Sequence, residues 1–98
     1  MNTPTFEWGR RKAAANLNKH SVSFAEAATV FQDPLAGIHS DPEHSLSEER
    51  HILIGHSKAR RLLLVAFPDR HGTIRLISAW AVTRRERRAY EEDQEDRT

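Results

Sequence analysis

His51-Ile52-Leu53-Ile54-Gly55-His56, Leu62-Leu63-Leu64-Val65-Ala66-Phe67 and Thr73-Ile74-Arg75-Leu76-Ile77-Ser78-Ala79-Trp80-Ala81 decide the fold. Each run is rich in branched and aliphatic residues and too short for a buried helix, so each reads as a strand. Pro68-Asp69-Arg70-His71-Gly72 supplies the turn residues of a hairpin connection between the last two. Neighbouring strands joined by short links imply an antiparallel sheet. Upstream, Leu35 to His39 is expected to add a strand, Ser40 to Ser45 a polar loop, and Phe6 to Trp8 a short first strand.

Helices flank this sheet. Gly9 can cap a helix running to about His20, with Ala13, Ala14 and Leu17 as its buried stripe and Lys12, Asn16 and Lys19 on other faces. Val22-Ser23-Phe24-Ala25-Glu26-Ala27 is a capping box with a hydrophobic staple: Ser23 at the N-cap, Glu26 at N3, Val22 against Ala27. The helix it opens should turn Ala27, Val30 and Phe31 inward and stop at Asp33-Pro34, because proline disfavours helical geometry at the residue before it. Thr83-Arg84-Arg85-Glu86 is a second capping box, and the terminal helix it starts has Val82, Ala89 and Tyr90 on its inner stripe. The fold class is α+β: a central antiparallel sheet with two N-terminal helices and one C-terminal helix. With 98 residues, 1–98 is expected to be a single domain, its last residues from about 93 to 98 a frayed acidic tail.

Thirty percent charged against 38% hydrophobic residues describes a folded, ionic protein rather than a disordered one. No apolar run reaches the roughly 18 residues of a membrane span, and no basic stretch followed by an apolar one opens the sequence, so a cytoplasmic protein is expected. Absence of cysteine excludes disulfides, thiolate nucleophiles and Cys-type zinc sites. His39, Asp41, Glu43 and His44 match no spacing with a metal-binding logic, and neither metal nor cofactor is expected. A glycine-rich phosphate loop and a nucleophile elbow are both missing, which removes support for nucleotide hydrolysis and acyl transfer.

The terminal helix carries its charge backwards. Four arginines against one glutamate occupy Arg84 to Arg88, and five acids against Arg97 fill Glu91 to Thr98. The macrodipole favours the opposite order by about 0.3–1 kcal/mol per charge, so the arrangement costs stability unless an anion binds at the helix start. A phosphate suits free backbone N–H groups and guanidinium forks there. Arg84, Arg87 and Arg88 point away from the apolar stripe and Arg85 borders it. The bland alternative is a solvated face with Arg87–Glu91 and Arg88–Glu92 pairs. Elsewhere, Lys19 and His20 end the first helix, where they either answer its dipole or belong to a site. Strand alternation puts Arg75 beside Ile77 and Ala79, where a charge must meet a partner such as Glu49 or a ligand.

Phe6-Glu7-Trp8, Lys12-Ala13 with Asn16 and Lys19-His20, Val22-Ser23-Phe24, Val30-Phe31 with Asp33-Pro34, Glu48-Glu49-Arg50, Arg61-Leu62-Leu63, Ile74 to Ala79 and Thr83 to Arg88 occur in an order that resembles the BrnT family. That family comprises the ribonuclease toxins of type II toxin–antitoxin pairs. The resemblance covers nearly the whole chain and implies a RelE-like fold, metal-independent RNA cleavage, a BrnA-like antitoxin as partner and operator DNA reached only through that antitoxin. It places part of the site at Lys19 and His20; Arg61 and Arg75, from their strand positions, are expected to complete the catalytic group as its cationic core, with Glu49 and Arg50 in support. Lys12, Trp80, Arg84, Arg85 and Arg88 become the RNA contacts. Three positions depart from the family: Gly9 replaces aspartate, Ser21 replaces glycine, and Trp80 replaces an arginine at a strand end. The last exchanges a charge suited to the scissile phosphate for a ring able to stack a base, a contact of ~1–3 kcal/mol. An attenuated toxin retained as the antitoxin-binding part of an autorepressor complex is the alternative reading.

Overall fold

The computed structural model describes residues 5–40, 50–68 and 72–96. The elements follow in the order β1 (Thr5–Glu7), α1 (Arg10–His20), α2 (Phe24–Thr29), a 3-10 turn (Val30–Gln32), β2 (Gly37–Ser40), β3 (Arg50–His56), β4 (Leu62–Pro68), β5 (Thr73–Arg75), β6 (Ser78–Ala81) and α3 (Arg84–Asp96). A four-stranded antiparallel sheet has the order β2-β3-β4-β6. Every residue of β4 is buried, which accounts for its unbroken apolar sequence: both faces of this strand are covered.

One face packs Leu53, Leu63, Val65 and Ala79 against Val22, Phe24, Ala27 and Val30 of the α2 region. The other packs Ile54, Leu62, Leu64 and the half-buried Trp80 against Tyr90 of α3. Phe31 turns inward as expected, its ring 5.0 Å from Phe6 and 5.1 Å from Phe67. Asp33 is extended (ψ 114°) and ends the helical run before Pro34. Gly55 lies against the chain after that turn, where a Cβ would stand 2.7 Å from Ala36 Cβ, so this strand position admits no side chain.

Several expectations need correction. The run Thr73 to Ala81 is two strands, not one. β5 pairs in parallel with β1, and the chain then switches partners: Leu76 N–H donates to Glu7 O and Ile77 N–H to Ala66 O. Periodicity could not reveal this crossover, because both halves are apolar. The strand expected at Leu35 to His39 forms at Gly37–Ser40, paired with His51 to Ile54. Ala14 and Leu17 are exposed, Leu17 by 52%, whereas Asn16 is buried. Ala89 is exposed too, leaving Tyr90 and the half-buried Val82 as the inner contacts of α3. Most of the expected Ser40 to Ser45 loop, with Asp41, Glu43 and His44, lies outside the described residues, as do the middle of the Pro68 to Gly72 link and Glu49.

Candidate functional site

α1 carries no acid in its first turn and ends in Lys19 and His20. It leans on β6, the edge strand of the larger sheet, and the contact is polar. Asn16 donates from Nδ2 to Ala79 O (2.8 Å) and to Val22 O (2.9 Å), while its Oδ1 accepts from Ala79 N–H (3.1 Å) and from the Ser78 hydroxyl (3.3 Å). An edge strand presents backbone groups with no strand to pair them, so an amide serves this helix face better than the expected leucine. Asparagine is a poor helix former, and its place in mid-helix is the one sequence signal that its side chain is engaged.

Between α1 and the start of β6 lies a cleft of about 200 Å³ lined by Lys12, Ala15, Asn16, Lys19, His20, Ile77 and Ser78. Lys12, Lys19 and His20, three of the residues singled out from the sequence, therefore converge. Trp80 joins them at the rim: its ring centroid is 5.9 Å from that of His20, tilted by 40°. The same side chain packs on the Tyr90 cluster and meets His20 at the cleft edge.

Arg61 and Arg75 do not converge. Arg61 sits at the C-terminal end of α1, donating to Ser21 O (2.9 Å) and to both carboxylate oxygens of Glu26. Arg75 lies at the other end, its Nη2 3.7 Å from where a Gly9 Cβ would stand, and pairs with Glu7 at 3.5 Å. From Gly9 to Ser21 the helix axis rises roughly 18 Å, too far for two guanidinium groups to grip one phosphate. The alternation argument for Arg75 fails for the same reason the strand does: the crossover at Leu76 and Ile77 resets the faces. Arg50 opens β3, with β4 between it and the cleft strand, and its buried Nε has no hydrogen-bond partner.

Glu26 shows what the capping-box reading missed. Ser23 Oγ accepts from Glu26 N–H (3.0 Å), as expected, but the Glu26 carboxylate turns to Arg61 and to the Ser57 hydroxyl (2.7 Å) rather than back to the cap. The Arg61 hydrogen bonds hold its carboxyl below the usual range against the opposing effect of burial, with Ser57 contributing. Glu26 in turn raises the Arg61 pKa. This pair fixes the turn at Ser21, which is left-handed (φ 58°), a conformation that favours glycine. Nearby, burial pushes the Asp33 carboxyl up, but the N–H groups of His56 and Leu35 outweigh it and keep the group below its ordinary value.

The second capping box is complete. Thr83 N–H donates to Glu86 Oε1 (2.7 Å) and Glu86 N–H to Thr83 Oγ1 (3.1 Å). Arg84, Arg85, Arg87 and Arg88 are all exposed on α3. Among the described residues, the ion pairs are His56–Asp33, Arg61–Glu26 and Arg75–Glu7; neither Arg87–Glu91 nor Arg88–Glu92 forms. Among the described residues, no helix is long and apolar enough to cross a membrane.

A similar solved structure is the 1.1 Å crystal structure of the Brucella abortus ribonuclease toxin BrnT. It aligns with a TM-score of 0.60 over 84% of this chain and 100% of that one, at 19% identity, a likeness of fold. No curated protein matches the chain. Residues 8–86 match the family described as the ribonuclease toxin BrnT of type II toxin–antitoxin systems, and the chain belongs to that family.

Proposed function

We propose that the chain is a metal-independent endoribonuclease toxin whose site is the α1–β6 cleft. The observation that carries this reading is the convergence of Lys12, Lys19 and His20 beside the Trp80 ring. His20 has the chemistry to take a proton from the RNA 2′-hydroxyl or deliver one to the departing 5′-oxygen. The ammonium groups of Lys19 and Lys12 stabilise the charge that grows on the phosphoryl oxygens as the 2′-oxygen attacks phosphorus. The P–O5′ bond breaks, leaving a 2′,3′-cyclic phosphate and a 5′-hydroxyl.

Arg75 and Arg61, at the two ends of α1, contact phosphates on either side of the scissile one. Each is already paired with a carboxylate, so each contributes less to charge neutralisation than a free guanidinium would. Trp80 stacks an unpaired base next to His20. The exposed Arg84, Arg85 and Arg88 hold more of the RNA backbone or meet the antitoxin, for which a BrnA-like protein is the partner; operator DNA is bound through that complex. The reversed charge of α3 and the absence of its compensating Arg–Glu pairs support an anionic partner there.

The test is cleavage of single-stranded RNA by the purified chain in excess EDTA at low salt. Cleavage that disappears in His20→Ala and drops steeply in Lys19→Ala is the expected result. Trp80→Arg addresses the alternative, which is favoured by an apolar ring standing where the family pattern has a cation. No cleavage by the native chain, with activity restored by Trp80→Arg, would identify an attenuated toxin kept for what it binds.

A further inference from the structure

We infer that Asn16 is the positioning residue of the cleft: its side-chain amide sets the relative placement of His20 and Trp80. This inference rests on the proposed site in α1 and β6. The Asn16 amide and the Ala79 peptide exchange two hydrogen bonds, Nδ2 to Ala79 O at 2.8 Å and Ala79 N to Oδ1 at 3.1 Å. The side chain thus behaves as one residue of an additional strand along the β6 edge. Its second donor goes to Val22 O at 2.9 Å, and its oxygen also accepts from Ser78 Oγ. Every donor of the amide is used and the residue is 7% exposed, so the group has no capacity left for a ligand.

What it joins matters more than its own stability. His20 lies between Asn16 and Val22 in the chain, and Trp80 follows Ala79 directly. Each ring of the His20–Trp80 pair therefore hangs from a backbone segment that Asn16 holds. Lys12 and Lys19 stand one turn either side of Asn16 on the same helix, so the amide also fixes the rotation that turns this stripe toward Ser78. The apolar face of α1 contributes little to this: Ala13 packs half-buried on the core, but Ala14 and Leu17 are exposed. Misplacing a proton-transfer group by about 1 Å is enough to cost about a hundredfold in rate.

The experiment is proton NMR on the native chain and on Asn16→Ala, reading the ring-current displacement of the His20 imidazole protons by Trp80, alongside RNA cleavage kinetics. In a folded Asn16→Ala chain the displacement is lost, and kcat falls by about a hundredfold while KM, set by the arginine contacts outside the cleft, stays unchanged. A folded Asn16→Ala chain that keeps the displacement overturns the inference. If that variant does not fold, Asn16→Ser is read in the same way. In the native chain, Asn16 amide protons that exchange rapidly with solvent overturn it regardless of any variant. The NMR measurement needs no RNA. A native chain that cleaves nothing while the displacement depends on Asn16 would therefore defeat the proposed function and not this inference.

Discussion

α1 and α3 both open on a run of basic residues, and they are held in opposite ways. α3 begins with a reciprocal capping box between Thr83 and Glu86 and is fastened by one buried aromatic, Tyr90, at 6% exposure. α1 has no side-chain bond at its Gly9 cap and exposes Leu17. Besides the half-buried Ala13, two tertiary polar connections hold it: Asn16 on the β6 edge, and Arg61, anchored by Glu26, on the Ser21 carbonyl. A helix secured by its own first turn keeps its faces free, and α3 presents four exposed arginines. A helix secured by polar bonds to a strand edge has its rotation fixed, which suits a cleft that must bring Lys12, Lys19 and His20 to one place.

The contrast can be broken at its strongest point first. Asn16→Ala strands the Ala79 peptide and the Val22 carbonyl without partners and is expected to cost about 2–4 kcal/mol in urea unfolding. A loss below about 1 kcal/mol would mean that α1 is not held by this amide. Next, Glu26→Gln should cost about 1–2 kcal/mol at neutral pH, discounted for the partly exposed Arg61. The sign with pH follows from the depressed carboxyl. Its contribution is fully present above the ordinary value of 4.5 and is lost as pH falls through the lower folded value. Native and Glu26→Gln stabilities should therefore converge in acid, and a difference that persists there would assign the effect to something other than ionisation.

Thr83→Ala sharpens the other side of the contrast. Loss of a cap costs about 1 kcal/mol, and amide hydrogen exchange should show the effect confined to the start of α3, leaving α1 protected. The smallest effect is a gain. Ser21→Gly relieves the left-handed geometry at the end of α1, offset by the freedom glycine adds to the unfolded chain, for a net stabilisation of about 0.5 kcal/mol. No gain in melting temperature would show that the Arg61 contact already absorbs the strain at that turn.

Much of the proposed site was legible residue by residue. Lys19 and His20 were visible as bases closing a helix, Lys12 as a cation on the same element, and Trp80 as an aromatic at a strand end. Their convergence was not, because it depends on a rotation of α1 that its apolar pattern misstates. Arg61 and Arg75 illustrate the converse: each is a cation beside a strand, yet the helix between them separates their ends. Glu26 read correctly as N3 of a cap and incorrectly as a local partner, since a guanidinium distant in sequence offers it more than a single backbone N–H does.

The residue string by itself fixed what short-range physics controls: the cap at Ser23, the capping box at Thr83, the stop at Asp33-Pro34, the apolar strands and the charge reversal along α3. These depend on neighbours within a turn or two, and the energies involved are set locally. The tertiary structure alone decided the break of the Thr73 to Ala81 run into two sheets, the inward turn of Asn16 and the pairing of Glu26 with Arg61. In each case the deciding partner is a backbone group or a charge far along the chain. A buried polar group goes to whichever partner satisfies it, and one-dimensional periodicity carries no record of where that partner will be.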